Sequence, residues 1–206
     1  MIRLLELYPD HLNLNGDRGN LRVLEQRLTW ASLDVQCFTH RPGQPLSATA
    51  PQFVLLGHGS AAAWRVVYSD LSSIAPTLQQ WLEGGTQLLA VSTGFAALHG
   101  LLPQLDSSVE RVARVSRFEE ADSQGIQVVG YKNSDLDLPS LFIDGNLIGT
   151  LLHGPILAKN ESLADFVISK ILESENLQPE IARTKRDFVS EFALSASQLA
   201  RELASE

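Results

Sequence analysis

The stretch Leu88–Gly100, LLAVSTGFAALHG, decides how this chain folds. An apolar run, Leu88 to Val91, ends in Ser92-Thr93-Gly94, and a helical pattern follows at once over Phe95–Leu101. A buried strand that passes without a linker into a helix is the signature of an α/β layered fold. The junction also has the layout of a nucleophile elbow. Small neighbours permit the strained turn, the serine side chain stands exposed, and backbone N–H groups face an incoming oxyanion. Ala90-Val91-Ser92-Thr93-Gly94 is G-x-S-x-G with its first glycine replaced by alanine. A plain strand–turn–helix junction with a serine N-cap accounts for the same residues.

Working outward, the segments on both sides keep the same rhythm. Ile2–Leu7 reads as a strand, Tyr8–Gly19 as a turn-rich connection, and Leu21, Leu24, Leu28 and Ala31 as the apolar stripe of a helix capped by Asp17. Strands are expected at Asp34–Phe38, Phe53–Leu56 and Thr86–Val91, with a helix over Leu71–Glu83 closed by Gly84-Gly85. Beyond the elbow, Val109–Val115 and Ile126–Tyr131 alternate loosely, as antiparallel or edge strands do. Leu147–Leu152 is a further strand running into His153. Helices are predicted over Glu161–Glu173 and Arg186–Ala204, joined by a polar linker, Ser174–Thr184. The expected architecture is an α/β three-layer sandwich with a mostly parallel central sheet: a single domain, 1–206, with a C-terminal helical extension from about 175 to 206.

Composition narrows the function. Apolar residues make up 44% of 206, enough for a substantial core. Sixteen basic against 24 acidic residues give a net charge of −8, which argues against nucleic acid or an anionic membrane as the main partner. The single cysteine, Cys37, excludes an internal disulfide and a cysteine-based zinc cluster, and its place in the second predicted strand suits a packing residue. No segment is long and apolar enough to insert into a membrane, so a cytoplasmic protein is expected. No cofactor and no metal site is expected.

Two further segments bear on chemistry. His153 follows an apolar strand and lies 61 residues after Ser92. If that strand is parallel to the elbow strand, both residues reach one sheet edge, where imidazole could activate a hydroxyl. A histidine satisfied by backbone at a strand end fits equally. Gly57-His58-Gly59-Ser60 follows the third strand, and its glycines let backbone N–H groups approach a ligand as an oxyanion loop requires; a flexible connection explains them as well. Asp135, Asp137 and Asp144 fall between Ser92 and His153, the chain order of α/β-hydrolase triads, which keeps a serine hydrolase using Ser92 and His153 among the readings.

Tyr8-Pro9-Asp10-His11-Leu12-Asn13, Gly16-Asp17-Arg18-Gly19-Asn20, the elbow, and Ile148-Gly149-Thr150-Leu151-Leu152-His153-Gly154-Pro155 through Lys159-Asn160 carry a resemblance spanning most of the chain. In them it resembles the class I glutamine amidotransferase-like family, of flavodoxin-like fold. Within it the likeness is to the cobyric-acid-synthase-type branch and its GatD-type subunits of lipid II isoglutaminyl synthase. The resemblance implies glutamine hydrolysis by a cysteine thiolate with a histidine base, the ammonia passing to a Mur-ligase-like (MurT-type) partner that amidates the peptidoglycan stem peptide. It places the nucleophile at Ser92, the base at His153 and the oxyanion loop at Gly57, Gly59 and Thr93. Pro155 stands where this branch lacks the acid of a third triad member. The departures concentrate at the site: Ser92-Thr93-Gly94-Phe95-Ala96 replaces C-G-G-[FY]-Q, Gly57-His58-Gly59-Ser60-Ala61 replaces a G-G-G-Q-D-like loop, and Gly130-Tyr131-Lys132-Asn133-Ser134 replaces G-F-E-N-H. Together they imply a degenerate site with weak or no glutaminase activity, a pseudo-enzyme. An active glutamine-dependent subunit is the alternative.

Overall fold

The computed structural model describes residues 1–177 and 194–203. Six strands, β1 (Ile2–Leu7), β2 (Val35–His40), β3 (Phe53–Leu56), β4 (Gln87–Val91), β7 (Leu141–Asp144) and β8 (Leu147–Thr150), form one sheet in the order β2-β1-β3-β4-β8-β7. All pair in parallel except β7, which runs antiparallel at the edge. β3 and β4 are buried on both faces, which is why they read as continuous apolar runs. Successive residues serve opposite layers. Phe53, Leu55, Leu89 and Val91 pack with helices α1 (Arg18–Trp30), α4 (Ile156–Lys159) and α5 (Glu161–Ser174). Val54, Leu56, Leu88 and Ala90 pack with α2 (Ala61–Glu83) and α3 (Thr93–Leu98). The expected three-layer α/β sandwich with a mostly parallel sheet is the observed one.

A second sheet departs from the sequence reading. β5 (Arg111–Ser123) and β6 (Ile126–Leu136) form a long hairpin, and β9 (Leu152–His153) pairs with β6 through Tyr131↔His153 and Lys132↔Leu152. The strand predicted over Leu147–Leu152 is therefore divided. Its first part stays in the parallel sheet, and after Leu151 the chain crosses to the antiparallel one. Thr150 secures the crossing: its hydroxyl donates to the Ser140 carbonyl at 2.7 Å and accepts the Leu152 N–H at 3.0 Å. His153 thus belongs to the smaller sheet and not to the end of a parallel strand.

Two other expectations are corrected. α2 begins ten residues before Leu71, at Ala61, with the Ser60 side chain accepting the Ala63 N–H at 3.2 Å as its cap. Asp17 precedes α1 but has helical backbone angles and makes no side-chain cap; its carboxylate reaches a different loop. Cys37 is half-buried on β2, and burial, then the nearby Glu25 charge, pushes its thiol up to about 12, so it stays protonated. Residues 178–184 of the linker predicted over Ser174–Thr184, and 186–193 and 204 of the helix predicted over Arg186–Ala204, lie outside the described residues; Ser174 closes α5 and 194–203 are helical. Among the described residues no helix is long and apolar enough to cross a membrane.

Candidate active site

The parallel register brings the ends of β1, β3, β4 and β8 to one edge, with Leu7 beside Leu56, Leu56 beside Ala90, and Val91 beside Thr150. Carboxyl ends of parallel strands are where open α/β sheets bind ligands. A cavity of about 1220 Å³ opens here. One wall is a stripe of α2 at helical spacing, Ala61, Trp64, Arg65, Tyr68 and Ser72. The hairpin supplies the opposite wall with Arg111, Arg114, Asn133 and Asp135.

Ser92 lies on the cavity wall and has the elbow conformation, φ 52° and ψ −112°. A non-glycine residue held at such angles stores on the order of 1–3 kcal/mol, which the surrounding packing must hold in place. Two contacts do so. The Ser92 N–H extends the β4–β8 ladder by donating to the Thr150 carbonyl at 2.6 Å, and the Ser92 carbonyl accepts the Ala96 N–H at 3.0 Å. Gly94 lets α3 approach closely, since a Cβ there would stand 2.6 Å from the Gly57 carbonyl oxygen and 2.7 Å from that of Leu56. The Ser92 hydroxyl itself makes no capping bond.

His153 shares the cavity wall with Ser92, yet both its ring nitrogens are taken by other residues. Nε2 lies 3.0 Å from the Asn133 carbonyl oxygen, which can only accept, so Nε2 carries the proton. Nδ1 lies 2.5 Å from the Asn15 side-chain nitrogen and accepts from it. The ring is therefore neutral. Burial holds its pKa below the ordinary value, the Asn133 carbonyl opposes that, and Arg114 and Lys159 reinforce it. The His58 ring lies edge-on to His153, with centroids 5.0 Å apart. Burial, aided by His153, pushes His58 down to about 4.

The loop after β3 is tied at successive residues. The His58 N–H donates to the Asp17 carboxylate at 2.7 Å, and the Gly59 N–H donates to the Thr93 hydroxyl at 3.1 Å. That hydroxyl also accepts from Trp64 Nε1 at 2.7 Å. Gly59 and Thr93 line the cavity, whereas Gly57 packs behind it, where a Cβ would lie 2.0 Å from the Leu12 carbonyl oxygen. Asp17 is fully buried, its Oδ1 has no hydrogen-bond partner, and burial pushes its pKa up to about 6.

Ser92, Thr93, Gly59 and His153 are thus brought together, and the carboxylates are not brought to the imidazole. Asp135 is held by Arg111 at 2.6 Å and Arg114 at 3.6 Å, and Asp137 and Asp144 are exposed. Sequence reasoning missed Asn15 and Asn133. Asn133 acts through its backbone, which no side-chain identity reveals, and Asn15 meets His153 across 138 residues of chain. Among the described residues no cluster of histidine, cysteine or carboxylate side chains could hold a metal ion. The polar residues of the recognisable motifs are largely braces. Asn20 Oδ1 accepts the Leu157 N–H at 3.0 Å, and Asn160 Oδ1 accepts the Val129 N–H at 2.8 Å.

No protein-family model matches the chain. Among curated proteins it is similar to the Lipid II isoglutaminyl synthase (glutamine-hydrolyzing) subunit GatD of Staphylococcus aureus (strain N315), with 24% identity over 85% of this chain and 86% of that protein. Among solved structures it is similar to the acivicin-bound glutaminase domain of Trypanosoma brucei CTPS, with TM-score 0.56, 8% identity and coverage of 89% and 97%. A glutamine amidotransferase of Thermotoga maritima superposes with TM-score 0.50 at 14% identity, covering 98% of this chain and 94% of the other. At these identities the structural likeness is one of fold. The chain has the fold of these glutamine amidotransferases and, over most of its length, resembles a GatD subunit.

Proposed function

We propose that this chain is a GatD-like amidotransferase subunit of the cytoplasm with weak or no glutaminase activity. It works beside a Mur-ligase-like, MurT-type partner in amidating the stem peptide of lipid II. The carrying observation is the pair Ser92 and His153. An alcohol occupies the nucleophile position, and the imidazole that would deprotonate it holds Asn133 and Asn15 with its two nitrogens. A hydroxyl without a bound base is a poor nucleophile near neutral pH. The GatD likeness supports the subunit role, and ammonia then reaches the ligase from solution.

Amidation by the co-purified ligase complex tests this directly. It should run on ammonium, gain little or nothing from glutamine, and be accompanied by little or no glutamate release. Glutamine-dependent amidation that is lost in Ser92→Ala would overturn the reading in favour of an active glutaminase subunit. The elbow conformation of Ser92 favours a second reading, a serine hydrolase. Covalent labelling of Ser92 by a fluorophosphonate would establish it, and an inert serine removes it.

A further inference from the structure

The Thr93 hydroxyl is saturated. It has one proton and two lone pairs. Gly59 N–H and Trp64 Nε1–H are pure donors, at 3.1 and 2.7 Å, and fill both lone pairs. The proton is left for the Gly59 carbonyl at 3.1 Å or for His58 Nδ1 at 3.0 Å, the latter on a ring that burial keeps neutral. Gly59 is thus held by its N–H to this hydroxyl whichever acceptor takes the proton, and the preceding amide, His58 N–H, is already bound to Asp17. The loop presents no free N–H to the cavity at either residue.

We propose that Thr93 is a built-in plug of the anion-binding corner. By occupying the Gly59 N–H it removes the donor that would stabilise a tetrahedral oxyanion formed at position 92, independently of the serine there. The assignment rests on reading the cavity as an amidotransferase-type site and identifies a second lesion within it. It also explains the direction of Trp64, whose indole N–H is anchored to the same oxygen and so closes the corner from the α2 side.

The experiment compares glutamine hydrolysis by the full chain carrying Ser92→Cys with that of Ser92→Cys/Thr93→Val and Ser92→Cys/Thr93→Gly. In the reaction the introduced thiol passes its proton to His153, whose Nδ1 gives up the Asn15 donor to take it, and the sulfur adds to the amide carbon as the carbonyl pair moves onto oxygen. That pair returns as the C–N bond breaks, ammonia leaves with a proton from the imidazolium, and water cleaves the thioester to glutamate. Loss of one oxyanion donor costs about 10²–10³ in kcat, so freeing one should raise kcat by about tenfold or more, with KM little changed. Alkylation by iodoacetamide, which forms no oxyanion, should proceed equally in all three. Hydrolysis within about twofold of Ser92→Cys in both double variants, or a gain matched by faster alkylation, overturns the proposal. Glutamate release by the unaltered chain at the rate of amidation would instead overturn the reading of weak or no glutaminase activity, while the comparison within the Ser92→Cys background would still decide the role of Thr93.

Discussion

Burial places the Asp17 carboxyl at about 6, against 3.8 in water, and the His58 N–H bond and the Glu6 charge act on it in opposite senses. Below 3.8 the folded and unfolded chains both hold the proton. Between 3.8 and about 6 the unfolded chain releases it first, so stability falls as pH rises through that window. The loss is up to about 3 kcal/mol. Asp17→Asn keeps an acceptor for His58 and carries no charge; it should abolish this slope and raise stability at pH 7 by roughly 1–3 kcal/mol, read from urea midpoints at pH 4 and pH 7. A second residue-scale expectation concerns His153. The Asn15 donor on Nδ1 favours the neutral ring, so Asn15→Ala should move the imidazole titration followed by NMR upward. The elbow was legible at this scale because Ser92, Thr93 and Gly94 follow an apolar run directly. The hydrogen bonds that decide its chemistry were not, since Asn15, Asp17 and Thr93 find their partners only through the fold.

At the scale of elements, the contact between α3 and the end of β3 is set by one missing methyl group. Gly94→Ala would drive a Cβ into two backbone carbonyl oxygens, atoms that cannot rotate aside. The expected destabilisation is about 2–3 kcal/mol by denaturant midpoint, accompanied by displacement of the Gly57–Gly59 loop. α2 shows why its start escaped the sequence reading. From Leu71 onward it buries Leu71, Ile74, Ala75 and Leu78, an obvious apolar face, whereas between 61 and 70 it buries only Val67. The first half of α2 instead turns Trp64, Arg65 and Tyr68 toward the cavity, and a helix that lines a site lacks the periodicity of one that lines a core. The same cause shortened the hairpin, because β5 is exposed or half-buried along its whole length and offers little alternation to read.

Across the whole molecule the two sheets differ in how firmly they are built. β3 and β4 are buried at every residue, while β5 has no fully buried one. Amide hydrogen exchange should therefore assign to β3 and β4 an opening free energy near that of global unfolding and to β5 a value far below it. Equal protection of the two would contradict this. The parallel sheet was legible from composition and from the turn at each strand end. The transfer of one continuous apolar run between sheets at Leu151 was not, since the residue pattern is the same on either side of it. That transfer puts the two candidate catalytic groups on different ladders: Ser92 is tied to the Thr150 carbonyl of the parallel sheet and His153 pairs with Tyr131 of the hairpin sheet, so their spacing is set by how the two sheets meet at residue 151.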